Sequence, residues 1–290
     1  MIKLINGDCR DVLKTLEDNS IDSVVTDPPA GIAFMGKEWD DFSSVKTTQS
    51  QLFTNMNAGV KFTSKGLIEF QDFIFEVFTD VLRAVKPGGH IFVWALPRTS
   101  HHTAMGLERA GFEVRDVVTH LFGQGFPKSY NISKGIDKKM GAERAKLGVA
   151  PTTRANTDVD NQILNWGGHG NGKIQYITVP STQEAQQWDG WGTALKPASE
   201  HWILARKPIS EKTIIENVLK WGTGGINIDD CRIELNGEIV PINVLEDWSG
   251  FGEIKRPDYK PTQNTQGRFP ANVIMDEEAG RLLDEQSGIF

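Results

Sequence analysis

A single acidic residue followed by two prolines is the clearest chemical feature of this 290-residue chain. The segment reads Asp27-Pro28-Pro29-Ala30 and follows an apolar run that begins at Ile21. Proline has no backbone N–H to donate, so neither a strand ladder nor a helix continues through the pair. Asp27 is therefore predicted at the carboxyl end of a buried strand, where open α/β sheets bind their ligands. The alternative is an ordinary turn, because Asp and Pro are common turn residues.

A second carboxylate, Asp8, follows a short apolar segment over residues 2–6 that is typical of a strand. Asp8 is placed to cap a helix whose apolar face begins at Val12. Strand, helix and strand within residues 2–26 predict a βαβ unit with parallel strands and a right-handed crossover. Asp8 and Asp27 would then share one edge of the sheet and form a polar site, although each could instead be a helix cap or a turn residue.

The rest of the chain alternates helical and strand patterns, which indicates an α/β fold. Helices are predicted over residues 67–85, 99–110 and 212–220, and strands over 90–95, 113–122, 201–207 and 271–275. We divide the chain into part of a catalytic core (1–122), an insertion (123–200), a return strand and helix of the core (201–225), and a C-terminal recognition or linker region (226–290).

Composition excludes several functional classes. No apolar run approaches the roughly 20 residues of a membrane span, so no membrane segment is expected. The two cysteines, Cys9 and Cys231, lie far apart without histidine companions. A metal site and a disulfide framework are therefore not expected, and a reduced, cytoplasmic compartment fits. The net charge of -7 does not point to nucleic acid, but a local basic face would be enough for binding.

Such a local reversal of charge lies in the insertion. Residues 127–154 carry seven basic side chains against two acidic ones. We interpret this segment as a surface that contacts DNA phosphates, and the alternative is a solvated helix face. The residues that we assign to DNA binding are Lys128, Lys134, Lys138, Lys139, Arg144 and Lys146.

Three short motifs together resemble the DNA amino-methyltransferases of the beta class. They are Asn6-Gly7-Asp8-Cys9, Thr26-Asp27-Pro28-Pro29 and Lys86-Pro87-Gly88-Gly89. Residues 31–40 and 125–129 are similar to the branch found in bacteriophages and prophages. The resemblance implies a Rossmann-like, S-adenosylmethionine-dependent methyltransferase sheet that is circularly permuted. Its strand order is 3-2-1-4-5-7-6, and the chain begins at the third strand.

The resemblance also implies a chemistry. Asp27 and the carbonyl of Pro28 would accept the two N–H bonds of an exocyclic base amine, with Pro29 and Ala30 completing the catalytic loop. S-adenosyl-L-methionine would be the methyl donor, contacted by Asp8, Cys9 and Asp27. The base must leave double-stranded DNA, at a cost of roughly a few kcal/mol. Phe34 and Trp39 would line its pocket, although local packing is the alternative for these rings. Methylation of cytosine C5 is not expected, because it needs a cysteine after a proline, and neither cysteine here follows one.

Two departures from the family pattern lead us to expect an inactive variant or fragment. The family's fourth motif residue is aromatic, usually Tyr, and stacks on the base, whereas this chain has Ala30. We expect Ala30→Tyr to recover activity. The glycine-rich F-x-G-x-G cradle of the cofactor is also missing. The sheet is therefore expected to be incomplete, with weak binding of the cofactor, and a homodimer or second chain would complete it.

The sequence is compatible with more than one function. Adenine N6 is the preferred target, because Asp at the first motif position is more usual there, and cytosine N4 is the alternative. A restriction-modification role in a bacterial or phage-infected cell fits the family. The chain could also be a non-catalytic DNA-binding subunit that needs a partner. An RNA or protein methyltransferase is disfavoured by the long insertion.

Overall fold

The structure, a computed structural model, describes residues 2–32, 40–42, 64–123, 125, 129–149, 176–233 and 267–287. The chain forms two compact units. The first contains residues 1–47, 62–124 and 198–290, and the second contains residues 48–61 and 125–197. The main range of the second unit nearly coincides with the insertion expected over 123–200.

The described residues form seven strands. They are β1 (Ile21–Thr26), β2 (Val85–Ala95), β3 (Glu113–Leu121), β4 (Lys146–Val149), β5 (Tyr176–Thr178), β6 (Ser199–Arg206) and β7 (Val273–Met275). The first unit holds a five-stranded sheet in the spatial order β1-β2-β6-β3-β7, and β4 and β5 form a two-stranded antiparallel sheet in the second unit. Strand β2 is parallel to β1, β6 is antiparallel to both of its neighbours, and β7 is parallel to β3.

This mixed sheet confirms the predicted α/β class. If β1 is the fourth strand of the expected methyltransferase sheet, then β1-β2-β6-β3 is the expected order 4-5-7-6. The antiparallel strand β6 lies between two strands that precede it in the chain, as the seventh strand should. Strand β1 is at the edge of the described sheet, and Val25 on it is 71% exposed.

Seven α-helices accompany the strands in the described residues. They are α1 (Cys9–Val12), α2 (Ser64–Ala84), α3 (Ser100–Ala110), α4 (Ile132–Lys139), α5 (Gln183–Gln187), α6 (Ile214–Trp221) and α7 (Glu277–Ser287). Short 3-10 turns are found at Leu13–Thr15 and Asp229–Cys231. None of the helices in the described part of the chain has the length and apolar character that a membrane span requires.

Helices α2 and α3 pack on one face of the sheet, and this packing forms the core. Phe70 and Ile74 of α2 and Leu107 of α3 are almost fully buried. They belong to one cluster with Val93 of β2 and Ile203 of β6. Alternate residues of a strand face opposite sides of its sheet, so the intervening positions of β2 and β6 lie on the other face. Burial of each such large side chain stabilises the fold by about 1.5–3 kcal/mol.

The predicted first strand over residues 2–6 is wrong. These residues have no regular structure, and Ile2 and Leu4 are 90% and 93% exposed. The predicted βαβ unit and its crossover are therefore wrong for residues 2–26, whereas β1 begins and ends as predicted. An alternating apolar pattern gives a stable strand only where a neighbouring strand pairs with it, and no described strand pairs with this segment.

The sequence predicts a helix over 67–85 and a strand over 90–95, with four residues between them. The structure has no such separation. Strand β2 begins at Val85, directly after α2, and the glycine and proline residues form a bulge inside it. The bulge lies between the register pairs Ile21↔Val85 and Ser23↔His90. The carbonyl of Pro87 accepts hydrogen bonds from Asn217 Nδ2 at 2.8 Å and Thr223 Oγ1 at 2.6 Å. These buried polar groups hold the bulge in place.

The C-terminal region also differs from the expectation of a recognition or linker segment. In its described part, β7 extends the main sheet beside β3 and α7 follows it. The backbone N–H of Gly123 donates to the carboxylate of Asp276 at 3.2 Å. This region therefore contributes to the first unit. The hairpin signal at residues 236–237 lies outside the described residues.

Candidate active site

The segment Asp27 to Ala30 leaves β1 at the carboxyl end of the strand, as predicted. The strand is not the buried one that the sequence predicted, because it is at the edge of the described sheet and none of its residues is buried. Hydrogen bonds fix the backbone that follows the segment. The hydroxyl of the buried Thr99 donates to the carbonyl of Ala30 at 3.0 Å. The backbone N–H groups of Gly31 and Ile32 donate to the carboxylate of Asp40 at 2.7 Å and 3.3 Å. The loop is thus held by two buried side chains that are distant in sequence.

Gly31 is required at its position for two separate reasons. Its φ of +69° lies in the left-handed region, which is unfavourable for residues with a Cβ. A Cβ built on Gly31 would also lie 2.7 Å from the ring of Phe70 in helix α2. The glycine therefore allows the loop to turn sharply while it touches the core.

The carboxylate of Asp27 has acceptor capacity available for a ligand. Among the described residues, no donor forms a hydrogen bond with it. Partial burial raises the pKa of Asp27, and the negative charge of Glu200 raises it further. A carboxylate that lacks a protein donor is well suited to accept N–H bonds from a bound molecule.

A second group of side chains at the same end of the sheet was not predicted from the sequence. The indole Nε1–H of Trp94, in β2, donates to Glu200 Oε2 at 2.9 Å. His120 Nδ1, in β3, lies 3.9 Å from the same oxygen. Because β6 is antiparallel, its first residues meet the last residues of β2 and β3. The strand order, with β6 antiparallel between β2 and β3, is the feature from which this group could have been predicted.

Asp8 does not share this edge in the way the sequence predicted, because the segment before it is not a strand of the sheet. It caps helix α1 by accepting the backbone N–H of Arg10 at 2.9 Å, which confirms its predicted capping role. The guanidinium of Arg10 also donates to it at 2.7 Å. The hydrogen bonds from Arg10 lower the pKa of Asp8 to about 2. Cys9, the first residue of α1, is an exposed free thiol.

The two residues predicted for the base pocket, Phe34 and Trp39, lie outside the described residues. The neighbouring Phe42 is described, and its ring packs on the rings of Phe70 and Phe73 at centroid distances of 5.3 Å and 5.2 Å. This aromatic residue therefore serves local packing.

The basic residues of the second unit fall into two groups. Lys134, Lys138 and Lys139 are exposed on helix α4. Lys146 is exposed on β4, with its Nζ 4.6 Å from the ring centroid of Tyr176. Lys128 lies outside the described residues. These four exposed lysines keep the accessible positive charge that contact with phosphates requires.

Arg144 differs from the other basic residues, and its placement argues against the predicted contact with DNA. Its side chain is 11% exposed and its Nη1 lies 2.6 Å from Asp137 Oδ2. The same guanidinium donates to the hydroxyls of Ser133 and Thr178. We correct its assignment, because a cation that is buried and paired in this way holds the unit together.

Asp137 is the centre of that network. The backbone N–H groups of Ser181 and Thr182 and the hydroxyl of Thr182 also donate to its carboxylate. Burial alone would raise the pKa of Asp137, but these hydrogen bonds and the one from Arg144 outweigh it and lower the pKa. In the described residues, no three His, Cys, Asp or Glu side chains form a group that could hold a metal ion.

Comparison with known proteins finds methyltransferases. No family model matches the chain. A curated protein, the type II methyltransferase M.BamHI of Bacillus amyloliquefaciens, is 22% identical over 180 residues. The match covers 58% of this chain but only 36% of M.BamHI, so the chain corresponds to about a third of that relative.

The similar solved structures are also named as enzymes that methylate DNA. One is a protein of Thermus thermophilus assigned as a DNA modification methylase and solved with S-adenosyl-L-methionine, at 14% identity and a TM-score of 0.31. Another is the cytosine-N4-specific PvuII DNA methyltransferase, at 12% identity and a TM-score of 0.34. The matches cover 71% and 72% of this chain, and 56% and 51% of the two solved chains. TM-scores this low do not by themselves establish a common fold.

Proposed function

We propose that this chain contributes the catalytic loop and the DNA-recognition unit of an enzyme that methylates an exocyclic base amine in double-stranded DNA. Adenine N6 is the proposed target, and cytosine N4 is the alternative. Restriction-modification in a bacterial or phage-infected cell is the proposed setting. The similarity to a type II methyltransferase over more than half of the chain supports this function.

One observation carries the proposal. Asp27, which has no described donor, leaves the strand that would be the fourth of the methyltransferase sheet, and the next three strands follow in the order of that sheet. The loop behind it is fixed by Thr99 and Asp40, so its backbone carbonyls have defined directions. An acceptor site held in this way is pre-organised, which is what the positioning of a weak nucleophile requires.

The proposed role of Asp27 follows from the chemistry of an aromatic amine. The lone pair of such an amine is delocalised into the base, so the nitrogen must rehybridise before it attacks an electrophile. Asp27 and the carbonyl of Pro28 accept its two N–H bonds and hold the nitrogen in position for this change. The raised pKa of Asp27 also makes its carboxylate a stronger proton acceptor than an ordinary aspartate.

S-adenosyl-L-methionine is the proposed methyl donor, and it supplies an electrophilic methyl group when it is bound. The described residues do not complete a site for it. The carboxylate of Asp8 is already paired with Arg10, and it does not follow a strand of the sheet. The exposed edge of β1 is the place where additional strands, from this chain, a second copy or another chain, would complete the site.

The second unit is the proposed DNA-recognition unit. Its three exposed lysines on α4 and Lys146 on β4 are proposed to contact phosphates, which gives affinity without sequence specificity. A carboxylate site for a base amine and a basic surface are the two parts that an enzyme acting on DNA bases needs.

Sequencing of methylated DNA tests the function. The chain, its Ala30→Tyr variant and the Ala30→Tyr, Asp27→Asn double variant would be expressed in a bacterial host that lacks its own DNA methylation. We expect N6-methyladenine at one short motif with Ala30→Tyr, less with the unchanged chain, and none with the double variant. N4-methylcytosine at that motif would reverse the choice of base. The function is contradicted if no variant methylates DNA and the purified chain does not bind duplex DNA.

A non-catalytic DNA-binding subunit is the second candidate, and it is favoured because the described residues do not complete a cofactor site. In that case the chain would bind DNA and would co-purify with a methyltransferase chain that carries the glycine-rich cradle. Addition of that chain would then restore methylation, and Asp27→Asn would leave the restored activity unchanged.

A further inference from the structure

The aromatic residue Trp94 occupies a position beside Asp27 that the proposed function does not explain. Thr26 of β1 is in register with Val93 of β2, so the next residues along the two strands are Asp27 and Trp94. Neighbouring strands lie about 4.8 Å apart, so the backbones of Asp27 and Trp94 are separated by roughly one strand spacing.

The burial pattern of β2 places Trp94 on the face of the sheet opposite the core, and the strand register places Asp27 beside it. Val93 and Ala95 are buried in the core beneath α2 and α3, so Trp94 between them faces the other side. The charge of Glu200, which accepts the indole N–H of Trp94, acts on Asp27. Trp94 is only partly buried, so part of its ring is accessible.

The ring of Trp94 is held in one orientation. Its N–H donates to Glu200 at 2.9 Å, and the backbone of β2 is paired on both sides, with β1 and with β6. A charge-assisted hydrogen bond of this kind is stronger than a neutral one. A planar, pre-oriented aromatic surface beside a free acceptor suits a planar ligand that carries N–H donors at its edge.

We propose that Trp94 is the stacking surface for the extrahelical base whose amine Asp27 holds, and that Glu200 positions its ring. This inference rests on the proposed function and identifies a residue that contacts the base. Aromatic stacking on a flipped base is sequence-tolerant and contributes substantially to binding. It would supply part of the stacking that position 30, an alanine in this chain, does not provide.

Two other aromatic residues lie near this group. Trp202 of β6 is opposite Trp94, but β6 is separated from β1 by β2, and the ring of Trp202 stacks on Phe92 with a centroid distance of 4.9 Å. Phe122 is the second. Its ring packs edge-on against His120 with a centroid distance of 6.0 Å. However, it follows β3, which is separated from β1 by both β2 and β6. Trp94, on the adjacent strand, is therefore the better placed ring.

Binding to a base that is already extrahelical tests the inference without knowledge of the recognition sequence. The probes are a labelled duplex with one adenine opposite an abasic site and the same duplex fully paired. We expect the unchanged chain to bind the first about fivefold more tightly or better. Trp94→Leu should reduce this preference to nearly one, whereas Trp94→Phe should keep most of it. With 2-aminopurine as the extrahelical base, its fluorescence should be quenched by the unchanged chain and not by Trp94→Leu.

Glu200 has its own pair of variants. Glu200→Gln keeps an oxygen that accepts the indole N–H and should keep the preference, whereas Glu200→Ala should lower it at least about twofold. Trp221→Leu is the matched control. Trp221 is the last residue of helix α6, away from Asp27, and its indole N–H also donates to a side chain, Ser210 Oγ at 2.8 Å. This variant should leave the preference unchanged. If Trp94→Leu does not fold, the difference between the two Glu200 variants decides the question.

The possible failures are distinguishable. If the unchanged chain binds both duplexes equally, or if folded Trp94→Leu keeps the preference, this inference is wrong and the proposed function stands. If the unchanged chain binds neither duplex and methylates no DNA, the proposed function itself is wrong.

Discussion

The buried carboxylate of Asp40 accepts the backbone N–H of Gly31 at 2.7 Å, across a segment of eight intervening residues. It also accepts the N–H of Ile32, so one side chain satisfies two successive backbone donors. These donors follow Asp27-Pro28-Pro29-Ala30 directly. The position of the loop that follows Asp27 therefore depends on Asp40, which is not among the predicted site residues.

Removal of this carboxylate should destabilise the first unit. Asp40→Ala leaves two backbone N–H groups without their acceptor, and each buried, unsatisfied donor costs about 1–3 kcal/mol. We expect the free energy of unfolding to fall by about 2–6 kcal/mol in chemical denaturation. Asp40→Asn, which keeps one acceptor oxygen, should lose less. Replacement of the exposed Glu76 in α2 by Gln is the control and should change stability by less than about 0.5 kcal/mol.

Two glycines have almost the same backbone conformation but different surroundings. Replacing each by Ala therefore distinguishes the cost of backbone strain from the cost of close packing. Gly31 has φ +69° and lies against Phe70, whereas Gly222, after α6, has φ +73° and nothing within 4 Å of the place where a Cβ would lie. Gly222→Ala should cost about 1–2 kcal/mol from backbone strain alone. Gly31→Ala should cost about 1–3 kcal/mol more because of overpacking. Equal losses of stability in the two variants would show that contact with Phe70 does not constrain the loop.

Asp27 should be unfavourable for stability when it is ionised. Its pKa is raised in the folded chain, so ionisation costs more there than in the unfolded chain, whose value is near 3.8. The resulting destabilisation grows as the pH rises above that value. We expect Asp27→Asn to be at least as stable as the unchanged chain at pH 7, with the gap closing toward pH 4, while base methylation is lost. A clear loss of stability at pH 7 would mean that Asp27 has a structural role.

Asp137 in the second unit should have the opposite pH dependence. Its pKa is lowered in the folded chain, so its contribution to stability is complete above its ordinary value of 3.8 and is lost as the pH falls through the lower folded value. Acid unfolding, followed by the fluorescence of Trp188 and Trp191, should therefore begin at higher pH when the network is removed by Asp137→Ala.

The control for this acid titration is Asp189→Asn, because Asp189 is an exposed acid of the same unit. It should leave the acid transition in place. An unchanged transition in Asp137→Ala as well would show that the carboxylate does not stabilise this unit through its ionised form.

The exposed lysines of α4 should determine how DNA binding depends on salt. Each phosphate contact contributes a slope of about -0.9 to the logarithm of affinity against the logarithm of salt concentration. Replacement of Lys134, Lys138 and Lys139 by Gln should reduce the slope by up to about 2.7. Lys3, Lys14 and Lys212 are exposed lysines of the first unit, and the same change there is the charge-matched control. If both triple variants weaken binding equally, the effect is one of net charge.

Much of the fold could be predicted because its signals are local. Strand β1, the core face of α2 and the capped helices α3 and α6 follow from apolar periodicity and terminal residues within each segment. Gly111 ends α3 with φ +105°, as a C-terminal glycine should, and Thr213 forms a capping box with Glu216 at the start of α6. The position of Asp27 after β1 follows from the same kind of local signal.

The other features depended on partners that are distant in the chain. Residues 2–6 have the pattern of a strand, but no described strand pairs with them. Arg144 resembles its basic neighbours in sequence, but it is buried against Asp137. The pairing of Trp94 with Glu200 arises only because β6 enters the sheet antiparallel beside β2. A sequence by itself determines the preferences of each segment and the chemical groups that the chain carries. Only the tertiary structure decides which groups meet, because strand pairing and burial join residues that no local signal connects.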